Sequence, residues 1–178
     1  MKAKDITLIA LLASIMYVIY TIGSGFLYFE LLNFTVLLYG VTFSKKTSYF
    51  STLVFSLLVI LTWGLAPWTV MYLVVFPVYS LIYSSLGNHI RSEYLFAAFG
   101  FILAFFCGTI IDLPYIYMAG LDYRGLVIRL LLGFQVSIIN AGTTFISTLF
   151  LLYPIRKALL KSTNNQVGHL HPSVFNLD

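Results

Sequence analysis

Six acidic residues and ten lysines and arginines carry the charge of 178 residues, so a charged side chain set inside an apolar run is a candidate for chemistry. Asp112 stands between Gly-Thr-Ile-Ile and Leu-Pro, and Arg129 has apolar neighbours on both sides. A charge in such a setting is costly unless it is paired or faces a watery cavity. Two readings stay open: an ion pair between neighbouring helices, or the lining of a pocket. Trp63, Trp68, Tyr72 and Tyr115 fall toward the same side of the chain. Aromatics of this kind form the belts found at membrane interfaces. They also offer flat apolar contact area to a ligand whose orientation a charged pair can fix. Trp63, Trp68, Tyr72, Asp112, Tyr115 and Arg129 are therefore expected to line or brace a cavity.

Other polar groups are scattered. Gln135 and Asn140 lie deeper in the last apolar run, and Asn33 begins the second. At about 100° per residue, Arg129 and Gln135 point roughly 120° apart, and Asn140 points the way Arg129 does about three turns further on. Asn33 is one helical step from Glu30. No clean polar stripe results.

The motifs of catalysis are missing. The chain has no G-x-x-x-x-G-K-[ST] phosphate loop, no H-E-x-x-H and no G-x-S-x-G, so neither ATP hydrolysis nor the common metal and acyl-transfer sites are expected. His169 and His171 lack a third ligand nearby, which leaves them short of a metal site. The single Cys107 has no internal disulfide partner and reads as a small packing residue. No catalytic residue, metal or cofactor is expected.

The elements that position these residues follow from composition. Charged residues make up 9% of the chain and hydrophobic ones 60%, with a mean hydropathy of +0.96. A soluble domain needs more charge to cover its surface, so lipid is the expected solvent. Apolar runs cover about residues 6–22, 31–43, 49–65, 68–86, 94–118 and 125–160. The second is short for a full crossing, and the last exceeds the hydrocarbon thickness. Lys2, Lys4, Lys45, Lys46, Arg91, Arg156, Lys157 and Lys161 fall on alternate breaks between runs. That alternation predicts an all-α, six-helix transmembrane bundle over residues 1–161, with both termini cytoplasmic. The net charge of +4 then reflects topology and requires no nucleic acid. Residues 162–178 are polar, contain Gly168 and Pro172, and read as a flexible cytoplasmic tail.

Small residues recur four apart at Ala10 and Ser14 and at Gly133 and Ser137, a spacing that lets helices approach closely. Both pairs suit internal packing. Ala10, Ala13 and Ser14 also suit a docking face for another membrane subunit.

The opening Ile6-Thr-Leu-Ile-Ala-Leu-Leu-Ala-Ser, the run from Phe29 through Gly40 and the run from Gly133 through Thr148 resemble the substrate-binding S components of energy-coupling factor (ECF) vitamin transporters. Members typically carry Ala-x-x-x-Ala on the first helix, where this chain has Ala10-x-x-x-Ser14. The resemblance implies a multi-pass protein of a prokaryotic plasma membrane that captures a vitamin on the extracellular side. Its implied partners are a transmembrane coupling subunit, docked on the first helix, and two cytoplasmic ATPases that supply the energy. Cobalamin or a related corrinoid suits the many aromatics, followed by pantothenate, pyridoxine and other water-soluble vitamins. A self-sufficient small transporter or channel, or a membrane enzyme or assembly factor, remains open beside it.

Overall fold

The computed structural model describes residues 3–25, 31–87, 89–90 and 92–164. Six helices account for nearly all of them: α1 Ala3–Ser24, α2 Leu32–Thr42, α3 Lys45–Trp63, α4 Pro67–Leu86, α5 Glu93–Met118 and α6 Tyr123–Asn164. No strand occurs among the described residues. Glu30 and residues 165–178 lie outside them, so the Glu30–Asn33 relationship and the metal question at His169 and His171 do too. The segment expected to leave the helix at Ser162 is helical through Asn164.

Local chemistry sets the ends. Ser44 Oγ accepts the Thr47 N–H at 3.2 Å and so starts α3. Ser92 caps α5 in the same way through Leu95 N–H, and the Asp122 carboxylate accepts the Gly125 N–H at 2.8 Å at the head of α6. A side-chain oxygen at such a position satisfies a donor the helix leaves open. Gly64 stops α3 with φ of 81°, a conformation glycine adopts without a Cβ clash. Pro67 then opens α4, where its missing N–H costs nothing.

Five helices are long and apolar enough to cross a membrane. The exception is α2. Its 11 residues rise about 16 Å, half of a hydrocarbon core of about 30 Å. The second expected crossing is thus a half-length helix that does not span alone. Its place in the bundle explains its composition: every residue from Leu32 to Thr42 is buried, and it packs against all five other helices. Tyr39 Oη donates to the Leu12 carbonyl at 3.1 Å, and Ser84 Oγ donates to the Gly40 carbonyl at 2.6 Å. Around this axis the rings of Tyr20, Phe55, Tyr72 and Phe76 interlock edge to face. Buried hydroxyls such as Thr52, Ser56, Thr144 and Thr148 donate to carbonyls one turn back, which removes the cost of an open donor in an apolar interior. The outer faces instead show Leu61, Ile102, Leu131, Phe134 and Phe150. Such a surface matches acyl chains.

The helices alternate in direction, so Trp63, Trp68 and Tyr123 gather at one end of the bundle, here the aromatic end. Lys45, Lys157 and Lys161 mark the other, basic end. Lys45 Nζ reaches Ser85 Oγ there at 3.3 Å. Arg156, assigned from the sequence to a break between apolar runs on the expected cytoplasmic side, differs from its lysine neighbours. It is 2% exposed, because α6 turns that side chain inward among the neighbouring helices.

Candidate functional site

A cavity of about 450 Å³ opens among α2, α4, α5 and α6 on the aromatic half of the bundle. Helical periodicity assembles it. On α4, Tyr72 and Phe76 stand one turn apart, with ring centroids 4.7 Å from each other. On α5, Ala104, Cys107, Gly108, Ile111 and Asp112 recur at three- and four-residue steps and share a face. On α6, Arg129, Gly133, Val136, Ser137 and Asn140 do the same, flanked by Leu132 and Gln135. Asn33 enters from the first turn of α2, whose N-cap Leu31 provides no side-chain acceptor. Missing side chains help make the space. A Cβ on Gly133 would meet nothing within 4 Å, and one on Gly108 would sit 3.5 Å from Ser137 Oγ.

Asp112 and Arg129 form the electrostatic feature of the wall. Arg129 Nε donates to Asp112 Oδ2 and Nη2 to Oδ1, both at 3.0 Å, and Nη2 also lies 2.8 Å from Oδ2. This fork-on-fork contact fixes the plane of both groups and is stronger than a single-bonded pair. The Arg129 side chain is 40% exposed and that of Asp112 32%, so the pair borders open space. Tyr115 braces it from outside the lining, with its ring centroid 4.7 Å from Arg129 Cζ. The two readings of this pair are therefore compatible: it bridges adjacent helices and lines the cavity. These are the two charged lining residues among those described, and each neutralises the other.

The remaining aromatics form a relay. Trp68 packs edge to face on Tyr72 at 5.4 Å, and Trp63 on Trp68 at 6.4 Å. Tyr72 is in the wall, Trp68 stands behind it, and Trp63 is one ring further out and 59% exposed.

Several lining groups had a sequence signal that pointed elsewhere. Gly133 and Ser137 read as a packing pair, and Cys107 as a packing residue, yet all three face the cavity. Gln135 reaches it from a flank of α6, despite its angle to Arg129. Asn33 Oδ1 and Asn140 Oδ1 are buried without a hydrogen-bond partner among the described residues. Among the described residues no three His, Cys, Asp or Glu side chains gather as a metal site would require.

On α1, Ala10 and Ser14 are exposed on one face, with Ser14 Oγ donating to the Ala10 carbonyl at 2.8 Å. Ala13 is fully buried in the core. As the residue before Ser14, it is rotated about 100° from it. It therefore belongs to the internal packing, and the outward small-residue pair is Ala10 and Ser14.

Comparison with family models, curated proteins and solved structures gave no match to the chain.

Proposed function

We propose that this chain is the substrate-capture S component of an ECF-type vitamin uptake transporter. The observation that carries the reading is a partly polar cavity of about 450 Å³ inside a bundle of otherwise apolar helices. Polar lining in such a setting is expensive and marks a substrate or ion pathway. In this reading the aromatic end faces the extracellular side and both termini are cytoplasmic. A vitamin enters beside Asp112 and Arg129 and rests against Tyr72 and Phe76. Delivery then depends on a transmembrane coupling subunit and two ATPases, because this chain has no phosphate loop of its own. The exposed pair Ala10 and Ser14 offers a close-approach surface for the coupling subunit. The cavity volume lies in the range that buries a drug-sized molecule, which favours a compact water-soluble vitamin over a corrinoid.

One observation favours a second reading. A half-length helix that starts at a buried cavity, as α2 does, also occurs in self-sufficient secondary transporters. Mass spectrometry of the small molecules and subunits that copurify with the protein, followed by uptake into liposomes, separates the two. Capture predicts vitamin binding without ATP and no concentrative uptake by this chain alone. Concentrative uptake by the purified chain overturns it.

A further inference from the structure

We infer that the cavity takes a compact, electrically neutral molecule with an amide-like edge, an inference that rests on the capture reading above. Three features of the wall point the same way. The first is charge. Arg129 spends its fork on Asp112 through two hydrogen bonds. The pair is neutral as a unit, so an anionic ligand drawn to the guanidinium also meets the Asp112 carboxylate, and a cationic ligand drawn to the carboxylate also meets the guanidinium. A neutral ligand leaves the pair intact.

The second feature is the pair of carboxamides. Asn33 is 4% exposed, and its Oδ1 has no partner; Asn140 Oδ1 is equally enclosed and unpartnered. Buried polar atoms are nearly always bonded, and an unbonded one costs stability. Both atoms belong to residues that line one cavity, from α2 and α6, and a ligand can supply the missing partner once the carboxamide turns toward the space. A carboxamide carries an acceptor beside two donors. A half-turn about its broad terminal torsion exchanges which of them faces the space. The matching ligand edge is therefore a lactam, imide or primary amide, with C=O and N–H side by side. Gln135 adds a third carboxamide to the same lining.

The third feature is shape. Tyr72 and Phe76 form an aromatic wall, and about 450 Å³ accommodates a single flat ring system of modest size.

The test uses the purified full-length chain and five probes: riboflavin and its phosphate ester FMN, nicotinamide and its acid nicotinate, and cyanocobalamin. Riboflavin or nicotinamide is expected to bind at least ~10-fold more tightly than its charged counterpart. Equal or tighter binding of FMN or nicotinate overturns the neutral-amide inference, and binding of cyanocobalamin alone, itself neutral and rich in primary amides, overturns the compact size; either leaves the capture reading standing. Binding of none of the five also overturns the neutral-amide inference, while the capture reading stands or falls on the copurification and liposome experiments. Asn140→Leu and Asn33→Leu supply a second, independent readout. If the carboxamides wait for a ligand, each substitution raises the melting temperature of the ligand-free protein and weakens binding of the preferred probe at least ~10-fold. A lowered melting temperature in both variants means the amides already serve the fold and overturns the inference.

Discussion

The Arg129 guanidinium holds Asp112 through two 3.0 Å hydrogen bonds while the Tyr115 ring lies beside it, 4.7 Å from Cζ. The three residues come from two helices that meet at a tight turn. Their geometry makes the ion pair a joint between α5 and α6 as well as part of the cavity wall.

Removing one partner should therefore cost more than removing both. Arg129→Leu or Asp112→Leu leaves a lone charge against apolar neighbours, and the double variant does not. The pair is partly exposed, so the expected coupling energy is about 1–2 kcal/mol, between the values typical of surface and buried pairs. A double-mutant cycle on thermal stability measures it. If the ligand touches Arg129, the stable double variant also loses vitamin affinity. Zero coupling in both assays would remove the pair from the account.

Two glycines packed at α2, Gly40 within it and Gly100 on α5, provide a contrast. A Cβ on Gly40 would lie 2.7 Å from Tyr83 Cβ and 3.0 Å from the Ser80 carbonyl oxygen, neither of which moves without shifting α4. A Cβ on Gly100 would lie 2.8 Å from Leu37 Cδ1, the end of a side chain that can change rotamer. Gly40→Ala should destabilise by about 1–3 kcal/mol or more, as overpacking does, and Gly100→Ala by distinctly less. Equal losses in thermal unfolding would mean that α2 and α4 are not held as closely as the structure places them.

Much of this arrangement is legible in the sequence. Six apolar runs became six helices with ends within a few residues, and Pro67 was a start signal that tertiary context had no reason to override; the caps at Ser44 and Ser92 went unread, and α3 begins four residues before its apolar run. The shortness of α2 was visible, but its central position was not: an apolar helix surrounded by protein and one surrounded by lipid have the same composition. That ambiguity also hid Arg156 and Ala13. Their burial depends on helix rotation, and hydrophobic periodicity is silent when both faces are apolar. Asp112 and Arg129 stood out as charges among apolar residues. Gly108, Gly133 and Ser137 did not, since small residues serve close packing and open space alike.

The aromatic relay predicts graded effects. Trp68 supports Tyr72 in the cavity wall, whereas Trp63 contacts Trp68 and is mostly exposed. Trp68→Ala should weaken ligand binding by about three- to tenfold, the value of one aromatic pair. Trp63→Ala should leave affinity nearly unchanged. Equal losses from both would place Trp63 in contact with the ligand.

On α1 the same logic separates docking from folding. Ala10 is exposed and Ala13 is fully buried. Ala10→Trp should block association with a coupling subunit while vitamin binding by the isolated chain persists. Ala13→Leu should instead lower thermal stability by about 1–3 kcal/mol through overpacking. Association that survives Ala10→Trp would move the docking surface away from this face.

The last prediction concerns Arg156, which is 2% exposed and whose Nε and Nη1 have no hydrogen-bond partner. Removing a charge from water is repaid only by good pairing, and unbonded buried N–H groups add to the cost. The neighbouring Lys157 shows the alternative: it is exposed, with Nζ 5.8 Å from the Tyr153 ring centroid, and it keeps its hydration. Arg156→Met preserves a long apolar stem and removes the guanidinium. The variant should therefore hold or raise the melting temperature of the isolated protein, while Lys157→Met changes it little. A fall of several degrees in Arg156→Met alone would show that the guanidinium already has a stabilising partner in the folded chain.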